Sequence, residues 1–238
     1  MNIEDVKLKA LADLPIYVND VPMSPLRIKE IIELGYEQYN QYLSLVLLDR
    51  DQLLDTEFKA KVPQELAVYD IIALFGENAA IYSQYFKAIQ VLLKTDRVEY
   101  RNSLIINDKE FKKTDFDAMI KVIKIQNGLP IEDTTDFNPL NESAKLLQNR
   151  IVAKRKKVKE LKQNVNGDSE ILTFLDLISI LCSNSNGISI FNVFDLNIFQ
   201  FNDQFNRMKL LNDYEVSIQS LLHGADPKKV EVKHWISK

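Results

Sequence analysis

Turn-formers are scarce in this chain: six glycines and seven prolines in 238 residues, about one residue in twenty against about 12% in average proteins. A chain with so few places to reverse direction cannot supply the many tight turns of a sandwich or barrel. Long helices are the expectation, and the fold class that follows is mainly α, a two-lobed helical protein with one or two small β-hairpins. With 46% hydrophobic and 27% charged residues, the chain carries enough apolar material for a packed core without metals or disulfides.

The hairpins are predicted where turn chemistry and β-favouring residues coincide. In LPIYVNDVPM, Pro15 to Val18 and Val21 to Met23 flank Asn19-Asp20, a pair that tolerates the left-handed backbone of a tight hairpin. A second hairpin is expected between Val98 to Tyr100 and Leu104 to Ile106, around Arg101-Asn102-Ser103.

Helices fill the rest. Ser24 and Pro25 have the chemistry of an N-cap and first helical position, starting a short helix that ends at Gly35. Tyr36, Tyr39, Leu43, Val46 and Leu47 then step by three and four, the mark of an amphipathic helix. Two apolar segments between 66 and 94 are divided at Gly76-Glu77-Asn78, and Thr114 reads as the cap of a helix running to Gly128.

Turn-formers and acids concentrate just beyond Leu129, which places a hinge at 131–141. It lies between an N-terminal helical domain, 1–130, and a C-terminal one, 142–223, with a charged tail at 224–238. The second domain is expected to open on a largely exposed basic helix ending at Asn166-Gly167. Asp168 or Ser169 then starts a helix apolar nearly all round, followed after 188 by two helices or one bent one ending at Gly224.

Charge and cysteine content narrow the function. Thirty basic against 34 acidic side chains give a net charge of −4, so the chain as a whole offers no attraction to nucleic acid or anionic lipid. One cysteine allows no internal disulfide, and no signal-peptide or membrane-length apolar run is present, so a cytoplasmic protein is expected. No Gly-rich phosphate loop, zinc-protease helix or nucleophile elbow occurs. Acid pairs such as Asp49 with Asp51 and Glu132 with Asp133 read as solvated surface, Cys182 as a core side chain, and His223 as a helix C-cap. Neither catalytic, cofactor-binding nor metal-ligating residues are expected.

Three features suggest partner surfaces instead. Lys154, Arg155, Lys156 and Lys157, with Lys159 and Lys162, face the single acid Glu160. They suit an acidic protein, or nucleic acid through phosphate charge, although their spread around the helix and the lack of stacking aromatics disfavour the latter. In the aromatic run 191–205, Phe194, Ile198, Phe201 and Phe205 share a helical face, leaving Phe199 for a second contact surface. Trp235 either folds back on the domain or anchors a partner.

The run F-D-L-N-I-F-Q-F from Phe194 to Phe201, with Gln204 to Arg207, Tyr214, Gly224-Ala225-Asp226 and His234-Trp235, resembles the C-terminal region of tail assembly chaperones of long-tailed phages and prophages of Gram-positive bacteria. The opening, with a hairpin feeding a proline-started helix, is similar to the start of the same proteins. The resemblance implies a non-enzymatic protein that binds the tape measure protein, helps recruit tail tube subunits in the host cytoplasm and is absent from the finished particle. Family analogy puts the tail tube subunit on the C-terminal lobe and the tape measure on the N-terminal one. The alternative is a nucleic-acid-binding accessory protein using the basic helix at 145–162.

Overall fold

A computed structural model describes residues 1–49, 63, 66–75, 80–101, 103–130, 172–185, 187–226, 230, 232, 234 and 236. The expected hinge at 131–141 and the basic helix with Lys154, Arg155, Lys156 and Lys157 lie outside the described residues, as does Trp235. The mainly α expectation holds: eight helices, two small antiparallel sheets and 59% helix among the described residues.

The chain opens on a helix that sequence patterning passed over, α1 (Ile3–Leu11), capped by the Asn2 side chain, which accepts from the Glu4 amide at 3.0 Å. Only Val6 and Ala10 of α1 are buried. The first hairpin follows as expected, β1 (Ile16–Val18) pairing antiparallel with β2 (Val21–Met23). Asn19 and Asp20 both take positive φ, 48° and 61°, the backbone that lets a two-residue turn match the twist of the strands.

Helix α2 (Ile28–Leu34) starts later than Ser24-Pro25 implied, at Arg27 as N-cap. The reason is tertiary. Arg27 forms an antiparallel bridge with Asn197, with Ile28 N donating to Leu196 O at 2.9 Å and Ile198 N to Leu26 O at 2.8 Å. Extended backbone at Leu26-Arg27 is needed for that bridge and cannot also be helical. Gly35, at φ 93°, ends α2 and leads into α3 (Tyr36–Val46).

Helices α4 (Val68–Phe75) and α5 (Ala80–Leu93) occupy the two expected apolar segments, with the break between them outside the described residues. The second hairpin is larger than expected: β3 (Val98–Tyr100), β4 (Leu104–Ile106) and β5 (Lys109–Phe111) form one meander. Its second turn is again an Asn-Asp pair, Asn107 and Asp108, at φ 47° and 62°. Helix α6 (Lys113–Gln126) begins one residue before the predicted Thr114 cap, because Asp115 reaches back to the Lys112 amide at 3.0 Å.

Helix α7 (Phe174–Asn184) opens on Thr173, the expected starts Asp168 and Ser169 lying outside the described residues. Thr173 and Asp176 cap each other, Asp176 N donating to Thr173 Oγ1 at 3.2 Å and Thr173 N to Asp176 Oδ2 at 2.8 Å. Although apolar on most sides, α7 buries only Ile178 and Leu181 fully, and Leu175 is 71% exposed. A 3₁₀ turn at Val193–Asp195 precedes α8 (Ile198–Leu222), one helix where two remained open. His223 takes its C-cap as expected, with Nδ1 2.9 Å from Gln219 O.

Residues from both sides of the 131–171 interval build one hydrophobic core: Met23, Ile28, Ile31, Tyr85, Leu104, Phe111, Phe116 and Met119 pack in the same cluster as Leu181, Val193, Ile198 and Phe201. Phe201 is 2% exposed and Phe205 packs against that core half-buried, so the predicted face is an inner one, although Phe194 joins the core from the 3₁₀ turn and not from the helix itself. Cys182 also packs against it, and burial pushes its thiol pKa up, the environment of a small hydrophobe more than of a nucleophile.

Candidate protein-binding groove

A small group of polar residues fixes the start of α8 against α1. The Asn197 side chain, fully buried, accepts from Gln200 N at 2.9 Å through Oδ1, capping α8. Its Nδ2 donates to Ala10 O and to Asp13 Oδ1, both at 2.9 Å. Gln200 returns the cap by accepting from Asn197 N at 2.9 Å and donates to Leu11 O at 2.8 Å. Asp13 uses its second oxygen for Arg27, whose Nη2 lies 2.8 Å away, and that carboxylate holds the guanidinium pKa above its ordinary value. The carbonyls freed at the C-terminus of α1 are thus satisfied by side chains from the N-terminus of α8.

This clamp gives the N-I-F-Q-F run a structural explanation. Asn197 and Gln200 set the helix, Ile198 and Phe201 enter the core, and Phe199 is left half-buried on another side. Phe174 continues the inner aromatic set, stacked face to face on Tyr36 at 4.2 Å between ring centroids and edge-on to Phe201 at 5.7 Å.

Between α1, the C-terminal end of α6 and the first turns of α8 lies a groove of about 860 Å³. Ile3, Leu8, Leu11, Ile125, Leu129 and Phe199 supply its apolar lining, and Glu4, Lys7, Asp203 and Arg207 its charges. Leu8 and Leu11 are 58% and 42% exposed, so this surface is wet while unoccupied. Gly128 closes one end at φ 67°, where an added Cβ would stand 3.3 Å from Asn202 Nδ2. Asn202 donates to Asn127 O at 3.4 Å, and Asn127 in turn bonds the Tyr39 hydroxyl and Ile123 O. Burial raises the Tyr39 pKa, so that hydroxyl is a proton donor across the ordinary pH range.

Mixed apolar and charged lining, open to solvent along one side, suits an amphipathic protein segment better than a small molecule enclosed on most of its surface. Of the sequence-predicted site residues, Phe199 lines the groove, while Lys154, Arg155, Lys156, Lys157 and Trp235 fall outside the described residues. Leu8 and Leu11 were missed with α1 itself. The signal available was Asn2 before Glu4-Asp5, a cap with acids in the first turn. Among the described residues no three or more His, Cys, Asp or Glu side chains gather to hold a metal ion, and no helix is long and apolar enough to cross a membrane.

Residues 162–238, about a third of the chain, match the family model for the second domain of YomV. Helices α7 and α8, with the cap residues Asn197 and Gln200 and the groove residue Phe199, lie inside the matched span. No curated protein and no solved structure matches the chain.

Proposed function

We propose that this protein is a phage tail assembly chaperone that works by protein contacts alone, without catalysis, holding the tape measure protein and helping to recruit tail tube subunits in the host cytoplasm before leaving the finished particle. The match of residues 162–238 to the YomV second domain, a phage- and prophage-associated family, supports a phage origin. The observation that carries the binding role is the groove that α8 forms with α1, lined by Leu8, Leu11 and Phe199. A tape measure protein is long and helical, and an amphipathic helix laid along such a groove buries alternate turns of apolar side chains.

The test is co-expression of the tagged chain with the tape measure and tail tube proteins encoded beside it, followed by pull-down and a solubility assay. The tape measure protein is expected to stay soluble and co-purify. Leu8→Glu with Leu11→Glu, two exposed positions whose substitution leaves the core intact, is expected to abolish that retention. Retention of neither protein at low salt overturns the reading.

A further inference from the structure

Past Met208, no α8 side chain belongs to the core or packs against it. Yet the distal part of the helix is not uniformly wet. Tyr214, Ser217, Ile218, Ser220 and Leu221 are half-buried, whereas Asn212, Asp213, Glu215, Val216, Gln219 and Leu222 are exposed. Tyr214, Ile218 and Leu221, the apolar members of the covered set, step by four and three and share one helical face, with Ser217 beside them and Ser220 at its edge.

The His234 ring lies against that face, 5.1 Å from the Tyr214 ring and tilted by 55°. His234 follows the chain reversal at Gly224, φ 90°, by ten residues, and α8 runs ten residues back from Gly224 to Tyr214, about 15 Å of helix. Ten residues of chain reach up to about 33 Å, so the return is easily spanned. In the sequence Val230, Val232 and His234 alternate with the charged Glu231 and Lys233. Two residues of extended chain, about 6.6 Å, match a little over four residues of helix, about 6 Å. Counting back from the His234–Tyr214 contact therefore sets Val232 beside Ile218 and Val230 at the end of the helix by the half-buried Leu221. Val230 is half-buried.

We propose that the distal apolar face of α8 is a docking surface and that its occupant is the chain's own C-terminal segment, laid antiparallel along the helix in this register. The proposal stands independently of the tail-assembly reading. Val232 at 39% and Ile236 at 64% exposure fit a segment seated on one side only, which a stronger apolar partner could displace.

A disulfide trap tests the register. In a Cys182→Ala chain carrying Ile218→Cys and Val232→Cys, mild oxidation is expected to give an intramolecular disulfide that runs as a monomer on a non-reducing gel. The same chain with Val216→Cys in place of Ile218→Cys, a position 200° further round the helix, is expected to stay reduced. A disulfide-linked dimer hands the surface to a second copy and overturns the assignment; failure to oxidise overturns it as well. Independently, a chain ending at Ala225 is expected to exchange the amide hydrogens of 209–222 at least about tenfold faster while those of α6 are unchanged. Unchanged exchange in 209–222 overturns the proposal too.

Discussion

Residues 198–208 and 209–222 belong to the same helix yet are stabilised in different ways. The proximal part is capped reciprocally by Asn197 and Gln200, sends Ile198 and Phe201 into the core and packs Phe199, Phe205 and Met208 against it. The distal part has Leu210, Leu211, Val216 and Leu222 between 39% and 79% exposed. Composition does not separate them, since both carry apolar residues at close spacing. What separates them is the distance from the α1 clamp. A helix end is a directed object, and fixing its first turn in a body determines which later turns leave it. Packing against the core holds the first part, whereas the second lies outside that core, and a free segment of that length is marginal in water.

Breaking the proximal part should therefore cost far more than altering the distal one. Phe201→Ala empties a site that is 2% exposed and removes the ring shared with Phe174 and Phe205. The expected loss is about 3–5 kcal/mol, read as a lower urea midpoint. Asn197→Ala is expected to cost less, about 1–2 kcal/mol, chiefly the lost N-cap of α8 together with the buried bond to Ala10 O, a carbonyl that keeps the Asp13 amide as a donor. Its second readout distinguishes it from simple core damage. With the clamp gone the groove between α1 and α8 should widen, so Asn197→Ala should weaken partner retention at temperatures where the chain remains folded.

How much of this was legible beforehand follows from where each signal resides. The first hairpin was readable because Asn19-Asp20 sits between strands whose alternate residues are buried on both sides. The same dipeptide at 107–108 escaped notice because β5 is exposed, exposed and then buried, with only Phe111 turned inward. The two displaced helix starts have different origins: at Ser24-Pro25 the distant bridge of Arg27 to Asn197 holds the chain extended, whereas at Thr114 a competing local cap, Asp115 on the Lys112 amide, starts the helix earlier. Asn197 is the sharpest case. Its bonds to Ala10 and Asp13 span 187 and 184 residues, and no local pattern distinguishes a buried clamp from a surface asparagine. The inner face of Ile198, Phe201 and Phe205 was legible because helical periodicity alone defines it, whereas Phe194 reaches the same core from the 3₁₀ turn ahead of α8 and not from the helix.

Acid offers a milder probe, one that reaches the proximal part through α7. The Asp176 carboxyl is held below the ordinary carboxylate range by its hydrogen bonds to the Thr173 hydroxyl and amide. A carboxyl whose pKa is lowered by folding contributes stability that is complete above the unfolded-chain value of 3.8. That contribution is lost as the pH falls through the lower folded value. Acidification from pH 5 should thus lower the protection of the amides in the first turn of α7, exchange being compared with the intrinsic rate at each pH, beside the Phe174–Phe201 contact. Asp176→Asn should lower that protection already at pH 6 and flatten its pH dependence.

Val216→Ala is expected to do least. Val216 is 62% exposed, belongs to no part of the core and points away from the half-buried face of Tyr214, Ile218 and Leu221. Truncation there removes surface that water already reaches, and alanine favours the helical backbone more than valine does. The change in stability should stay within about 0.5 kcal/mol, in either direction. Ile218→Ala sharpens the comparison because it lies on the same exposed stretch of helix but on the covered face. A measurable loss at Ile218 beside none at Val216, by the same urea titration, would mean that the distal part is held from one side. Equal and negligible effects at both would mean that it is simply a solvated extension of the proximal one.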